Sequence, residues 1–175
     1  LRLIKLAFIS VIVLFLIITG ISLFIPSHVR ISKAINMQTS VDNVWKEVDN
    51  LYKWEQWNPL FNDLASKKVE YLDTSGGMLN AIKVETTVIK WKEKKTDEHI
   101  AEMKNADRNP VFSGWRCIQY NNADSITVQW YMDFKLKWYP WEKFGSLLFE
   151  STYGSQMEQG LSNLKKLSED RSSSK

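Results

Sequence analysis

Between residues 125 and 138 the chain is apolar at every second position. Ile126, Val128, Trp130, Met132, Phe134, Leu136 and Trp138 alternate with Thr127, Gln129, Tyr131, Asp133, Lys135 and Lys137. Strand side chains alternate between faces, so the pattern predicts one long strand with a buried face and a wet face. The period then changes. Across residues 144–169, Leu148, Tyr153, Met157, Leu161, Leu164 and Leu167 fall mostly three and four apart. That spacing predicts a long helix with one apolar side, of a length that suits the strand before it. Trp141 and Phe144 fit a separate first turn, which leaves residues 153–167 as the part that grips the sheet.

The chain upstream supplies the rest of such a sheet. Val29, Ile31, Ile35 and Met37 alternate with polar residues and predict a first strand, with Lys33 as the one charge on its apolar side. Thr39 or Ser40 offers an N-cap for a short helix carrying Val41, Val44, Trp45 and Val48. A second short helix, rich in aromatics, ends before Pro59 because the residue preceding proline avoids the helical region. Further strands are predicted over residues 67–72, 82–88, 99–103 and 112–120, with turns at 73–77, 109–110 and 121–124. At Val88 and Ile89 the alternation changes phase, which predicts a bulge or a strand end there.

A different pattern occupies the N-terminus. Residues 6–25 are mostly Ile, Leu, Val and Phe, and no charged residue occurs from Leu6 to Ser27. As a helix this run spans roughly 30 Å, the thickness of a bilayer's hydrocarbon core. It exceeds the apolar region of an ordinary signal peptide, and no small-residue cleavage site follows it, so a retained anchor over residues 3–26 is favoured over a removed leader. Arg2 and Lys5 precede the run, and Arg30 and Lys33 follow it within a predicted strand. The expected orientation puts the domain on the non-cytoplasmic side. The soluble part comprises residues 28–169, followed by a polar tail, residues 170–175, expected to be disordered.

Composition narrows the function classes. The net charge of +3 comes from the ends: without Arg2, Lys5 and the charged tail residues, basic and acidic side chains are equal in number. A nucleic-acid surface is therefore not indicated. A single cysteine, Cys117, excludes an internal disulfide. Eight tryptophans provide large apolar area of the kind that fills cores or lines cavities.

The order of elements, the stretch Trp54-Glu55-Gln56-Trp57-Asn58-Pro59, and the ending Gly154, Met157-Glu158-Gln159-Gly160-Leu161, Asn163-Leu164-Lys165 resemble the START/polyketide-cyclase/Bet v 1-like superfamily (SRPBCC). The likeness is closest to bacterial members with an N-terminal membrane segment, and it covers nearly all of the soluble part. It implies an α+β helix-grip fold, a curved antiparallel sheet wrapped around the C-terminal helix with an apolar cavity between them. Members bind lipids, polyketides or other apolar molecules, and some catalyse cyclisation or hydrolysis.

The candidate ligand-binding residues are Trp57, Trp115, Trp130, Met132, Phe134, Tyr153 and Met157. All but Trp57 lie on the apolar faces that should meet. For any one of these side chains the first reading is plain core, close-packed without a void, and the family resemblance favours the cavity for the group as a whole. Trp54 and Trp57 read first as a plug for the end of the sheet. Gly160, on the face of Met157 and Leu164, reads as a close approach of helix to sheet, whereas Gly154 is open between a kink and room for a ligand. No catalytic residue is assigned. His28 and His99 are far apart, His99 sits among acidic residues as if on a wet strand, and no metal-ligand spacing, phosphate loop or nucleophile elbow occurs. Tyr120, Tyr131, Arg116 and Asp133 carry no distinguishing spacing. The run Lys90-Trp91-Lys92-Glu93-Lys94-Lys95 reads as a solvated strand end, with contact to anionic headgroups as its alternative. The expectation is a membrane-tethered module that binds a lipid-like or other apolar small molecule, without metal, cofactor or nucleic acid. An enzyme of the polyketide cyclase/dehydratase or hydrolase type is the alternative.

Overall fold

The computed structural model describes residues 2–61, 68–73, 80–106, 108–119 and 125–173. Helix α1 (Arg2–Ser22) is followed by β1 (His28–Met37), α2 (Val41–Val48) and α3 (Trp54–Trp57). Six strands come next: β2 (Val69–Asp73), β3 (Ala81–Val84), β4 (Thr87–Lys94), β5 (Glu98–Asn105), β6 (Val111–Gln119) and β7 (Ile126–Lys135). The described chain closes with α4 (Pro140–Ser146) and α5 (Phe149–Ser173). The strands form one antiparallel sheet in the order β1-β7-β6-β5-β4-β3-β2, with β1 returning to pair with β7 along its full length. The C-terminal helix packs against β1 and β7 and against the short helices, which gives a helix-grip-like α+β fold with an added long apolar N-terminal helix.

The local signals act as their chemistry dictates. Ser40 caps α2, its hydroxyl accepting from the Asn43 amide at 3.4 Å, and Pro140 starts α4 at a position where its missing N–H costs nothing. The phase change at Val88 and Ile89 has a cause upstream of where it appears. Residues 82–88 are not one strand: a two-residue turn at Glu85 and Thr86 closes a β3–β4 hairpin, with Val84 opposite Thr87 and Ile82 opposite Ile89. A two-residue turn sets an even-numbered position against an odd-numbered one, so the inward set changes parity across it. Glu85 takes the left-handed backbone the turn requires, with φ of 55°.

The long strand ends at Lys135 rather than 138. Trp138 therefore leaves the apolar face and is largely exposed. The helix of residues 144–169 is two helices, since α4 ends at Ser146 and α5 starts at Phe149. The second helix continues to Ser173, past the boundary expected at Glu169. Of the turn expected at 73–77, Asp73 ends β2 and the rest lies outside the described residues, as do Tyr120 and the turn expected at 121–124.

Both glycines of α5 answer to close neighbours. A Cβ on Gly154 would come within 3.1 Å of Lys33 Cε and of Glu150 Oε1. Room is kept there for the Lys33 ammonium, which bridges Glu150 at 2.8 Å and Glu158 at 2.7 Å. This explains a charge on the apolar side of β1. At Gly160 a Cβ would lie 2.7 Å from the Trp130 ring and 3.0 Å from Pro59 Cδ. Gly160→Ala is therefore expected to destabilise the fold by about 1–3 kcal/mol, although alanine is the better helix former by ~1 kcal/mol. Urea unfolding of the full chain in detergent checks this; a stabilised variant would contradict the close approach.

Candidate functional site

The strand register arranges the inner face of the sheet in rungs. One rung runs Val29–Phe134–Val111–Met103–Ile89–Ile82, each opposite the next across neighbouring strands. The next rung is Ile31–Met132–Ser113–Ala101–Trp91, and a third is Lys33–Trp130–Trp115–His99. These rungs have different fates because different elements cover them.

The third rung and its neighbours are solid. Trp115 stacks on Trp130 with ring centroids 5.5 Å apart, and it meets Trp54 at 5.0 Å, Trp91 at 5.8 Å and Trp57 at 6.1 Å edge to face. Trp130 Nε1 donates to the Ser113 hydroxyl at 2.7 Å, and Trp54 Nε1 to the Val48 carbonyl at 2.6 Å. The indole N–H groups of Trp57, Trp91 and Trp115 have no nitrogen or oxygen partner. They are packed among ring faces, where N–H···π contact is the compensation available. Here α2, α3 and α5 seal the sheet.

The first rung is not sealed. Here α5 lies over β1 and β7, and over the far strands Phe61 borders the space without filling it. The space that remains is a cavity of about 640 Å³. Ile89, Met103, Val111, Met132, Phe134, Phe149 and Tyr153 give it apolar walls, and Glu85, Asn105, Arg108, Asn109 and Glu142 also border it. Three of these polar groups are held in place: Asn109 Nδ2 donates to the Lys135 carbonyl at 2.8 Å, Asn105 Nδ2 donates to the Thr86 hydroxyl at 3.0 Å, and Glu142 Oε2 accepts from the Lys137 amide at 2.7 Å. Phe134, Phe149 and Tyr153 form an aromatic wall with centroids 4.6–5.7 Å apart.

Of the seven residues named from the sequence, Met132, Phe134 and Tyr153 border this cavity. Trp57, Trp115, Trp130 and Met157 are fully buried in the sealed half and do not border it. Alternation assigns a residue to the inner face, but not to the covered or uncovered end of that face. Phe149, Val111, Met103 and Ile89 were missed. Ile89 was hidden by the hairpin, and Val111 stands one residue before the predicted strand.

Other polar groups lie outside the cavity. His99 is not on a wet strand: it is buried, stacked on Trp45 at 3.8 Å, with Nδ1 2.7 Å from Asp49 Oδ1. It faces inward because β5 pairs His99 with Trp115, and the contact ties α2 to the sheet. The lysine-rich end of β4 sits at this end too, Lys94 opposite His99, away from His28 and the anchor. Among the described residues no group of His, Cys, Asp and Glu could hold a metal ion.

On the outer face Tyr131 lies over Gly114, where a Cβ would meet its ring. Its hydroxyl donates to Glu98 at 2.9 Å, Arg116 meets the same carboxylate at 2.7 Å, and Arg30 covers the ring at 4.3 Å while pairing with Asp133. Burial, and then the adjoining Glu98 carboxylate, push the Tyr131 phenol from its ordinary 10.0 up to about 12. Its contribution to stability is complete below the unfolded value and is lost as pH rises through the folded one. Between about pH 10 and 12 the unmodified chain should therefore lose more stability than Tyr131→Phe. Urea midpoints of the two proteins check this, and parallel curves across that window would contradict it.

No family profile matches this chain, and no curated protein matches it in sequence. Its likeness to solved structures is one of fold. A START superfamily protein from Mycobacterium smegmatis superposes with a TM-score of 0.58 at 13% identity, covering 78% of this chain and 97% of that one. The protein XoxI from Bacillus cereus gives 0.55 at 13%, covering 82% and 97%. The di-domain ARO/CYC StfQ of the steffimycin biosynthetic pathway gives 0.61 at 11%, covering 83% of this chain and 52% of StfQ.

Proposed function

We propose that this chain is a membrane-tethered binding module, holding a lipid-like or other apolar small molecule between the sheet and the C-terminal helices. One observation carries the reading: a cavity of about 640 Å³ with apolar walls and a few fixed polar groups. Ligand sites commonly have this size and this division between apolar lining and sparse polar contacts. The likeness to a START superfamily protein and to an ARO/CYC protein supports the same use of the fold. The tether is α1, long and apolar enough to cross a bilayer and with none of its apolar stretch buried by the rest of the chain. The same reading puts the domain on the non-cytoplasmic side, supported by Arg2 and Lys5 ahead of the span.

Native mass spectrometry of the full chain released from detergent, offered fatty acids, quinones and apolar dyes, tests the binding. A one-to-one adduct with at least one class is expected, and a chain that stays empty throughout overturns the reading. An enzyme using the same cavity is the second reading, favoured by the presence of Tyr153, Glu85 and Glu142 in the lining. It requires a bound guest to be converted to a product, and Tyr153→Phe to slow conversion while leaving the adduct intact.

A further inference from the structure

We propose that the elbow joining α4 to α5 is seated in the bilayer leaflet from which α1 emerges, which puts the cavity entrance in the headgroup layer. The inference rests on the reading of α1 as a membrane span and of the cavity as a ligand site.

Three observations converge on the elbow. The first is its surface. Trp138, Trp141, Leu147 and Leu148 are each exposed over more than half their area, and Phe144 over more than a third. Trp138, Tyr139 and Trp141 form a run of adjoining rings, 5.0 and 4.8 Å apart. Single exposed apolar residues are ordinary, but five large ones within the eleven positions 138–148 mark a surface that meets something.

The second is position. Helix α1 packs against α4. The buried Lys143 ammonium of α4 donates to the Ile25 carbonyl and to the Ser27 hydroxyl, both at 2.8 Å. Ile25 ends the apolar run, so α4 is held at the depth where the span leaves the hydrocarbon. Leu23 and Phe24, between α1 and this anchor point, are exposed as well. Tryptophan and tyrosine favour that depth, where the ring is apolar and one edge can meet water or headgroups.

The third is the register. The unsealed rung begins at Val29, the second residue of β1, so the cavity lies at the end of the sheet nearest the anchor. Trp141, Glu142 and Gly145 of α4 border it, while Phe144, Leu147 and Leu148 do not. Helix α4 is thus the wall between cavity and leaflet. The occupant that fits is the lipid surface continuous with α1, rather than a second protein.

Nitroxide labels on the full chain in phosphatidylcholine nanodiscs test this. Cys117 is buried, and burial pushes its thiol up to about 12, so labelling goes to an introduced cysteine. Leu148→Cys and Leu147→Cys should show a several-fold higher ratio of collisions with oxygen to collisions with a water-soluble nickel chelate than Lys90→Cys on the outer face. Ratios equal to that at Lys90 overturn the proposal. So does shielding from both reagents with dipolar broadening between labels, which would show a second copy on the patch. Leu14→Cys reads the span separately. If Leu14 is lipid-buried and Leu148 is not, the docking alone fails; if both meet the chelate, the tether fails with it. Adduct formation in detergent, measured as above, tests the cavity independently of either.

Discussion

Trp115→Ala is expected to destabilise the domain by about 3–5 kcal/mol, a large part of the ~5–15 kcal/mol that holds a typical domain together. Trp115 is fully buried at the centre of the sealed half, with four other indoles within 6.1 Å. Its neighbours are fixed by their own contacts, Trp130 through Ser113 and Trp54 through the Val48 carbonyl. They cannot collapse into the space an alanine leaves, and a cavity that does not collapse gives the upper end of the range. Because the Trp115 indole N–H has no oxygen or nitrogen partner, Trp115→Phe removes no such hydrogen bond and should cost much less. Urea unfolding in detergent, followed by near-ultraviolet circular dichroism, measures both. An alanine cost under about 1 kcal/mol would show that the sealed half is not the centre of stability.

Val111→Trp should do the reverse. Val111 sits on the unsealed rung opposite Phe134 and Met103, and its side chain borders the cavity. An indole there enters open space, so stability should change by about 1 kcal/mol or less. The adduct with an apolar guest should fall by roughly an order of magnitude, because the ring takes up volume the guest needs. Trp115 is not among the residues that border the cavity, and Trp115→Ala should leave binding per folded molecule unchanged. If Val111→Trp binds like the unmodified chain, the guest lies elsewhere. Together the two substitutions separate what holds the fold from what receives a ligand, although both residues lie on the inner face of one strand.

That separation was invisible in the sequence. Alternation placed Trp115, Trp130, Met132 and Phe134 on one face correctly, and period three to four placed Tyr153 and Met157 on the facing helix. Periodicity reports which face a side chain takes, since that follows from local backbone geometry. It carries no information on how far along the strand the covering helix runs. Trp130 and Phe134 are four residues apart on one face, yet one is sealed under α5 beside Gly160 and the other opens onto the cavity. His99 was misplaced for a related reason. Of its acidic neighbours in sequence, Glu98 and Glu102 are strand residues of opposite parity on the outer face, and its partners Asp49 and Trp45 come from a helix and its C-cap some fifty positions away. The Glu85–Thr86 turn was missed because no glycine or asparagine marks it, and only the parity change recorded its presence.

By itself the sequence determined the membrane-length apolar helix, the order of strands and helices and the close approach at Gly160, and it set Trp141 and Phe144 apart from the gripping part of the last helix. These follow from composition, period and side-chain size, which act over a few residues. The tertiary structure decided where the core is solid and where it is open. It also brought α4 against the end of α1 and turned the lysine-rich end of β4 away from the anchor. Those outcomes depend on strand register and on the reach of covering helices, which are set by contacts between residues distant in the chain.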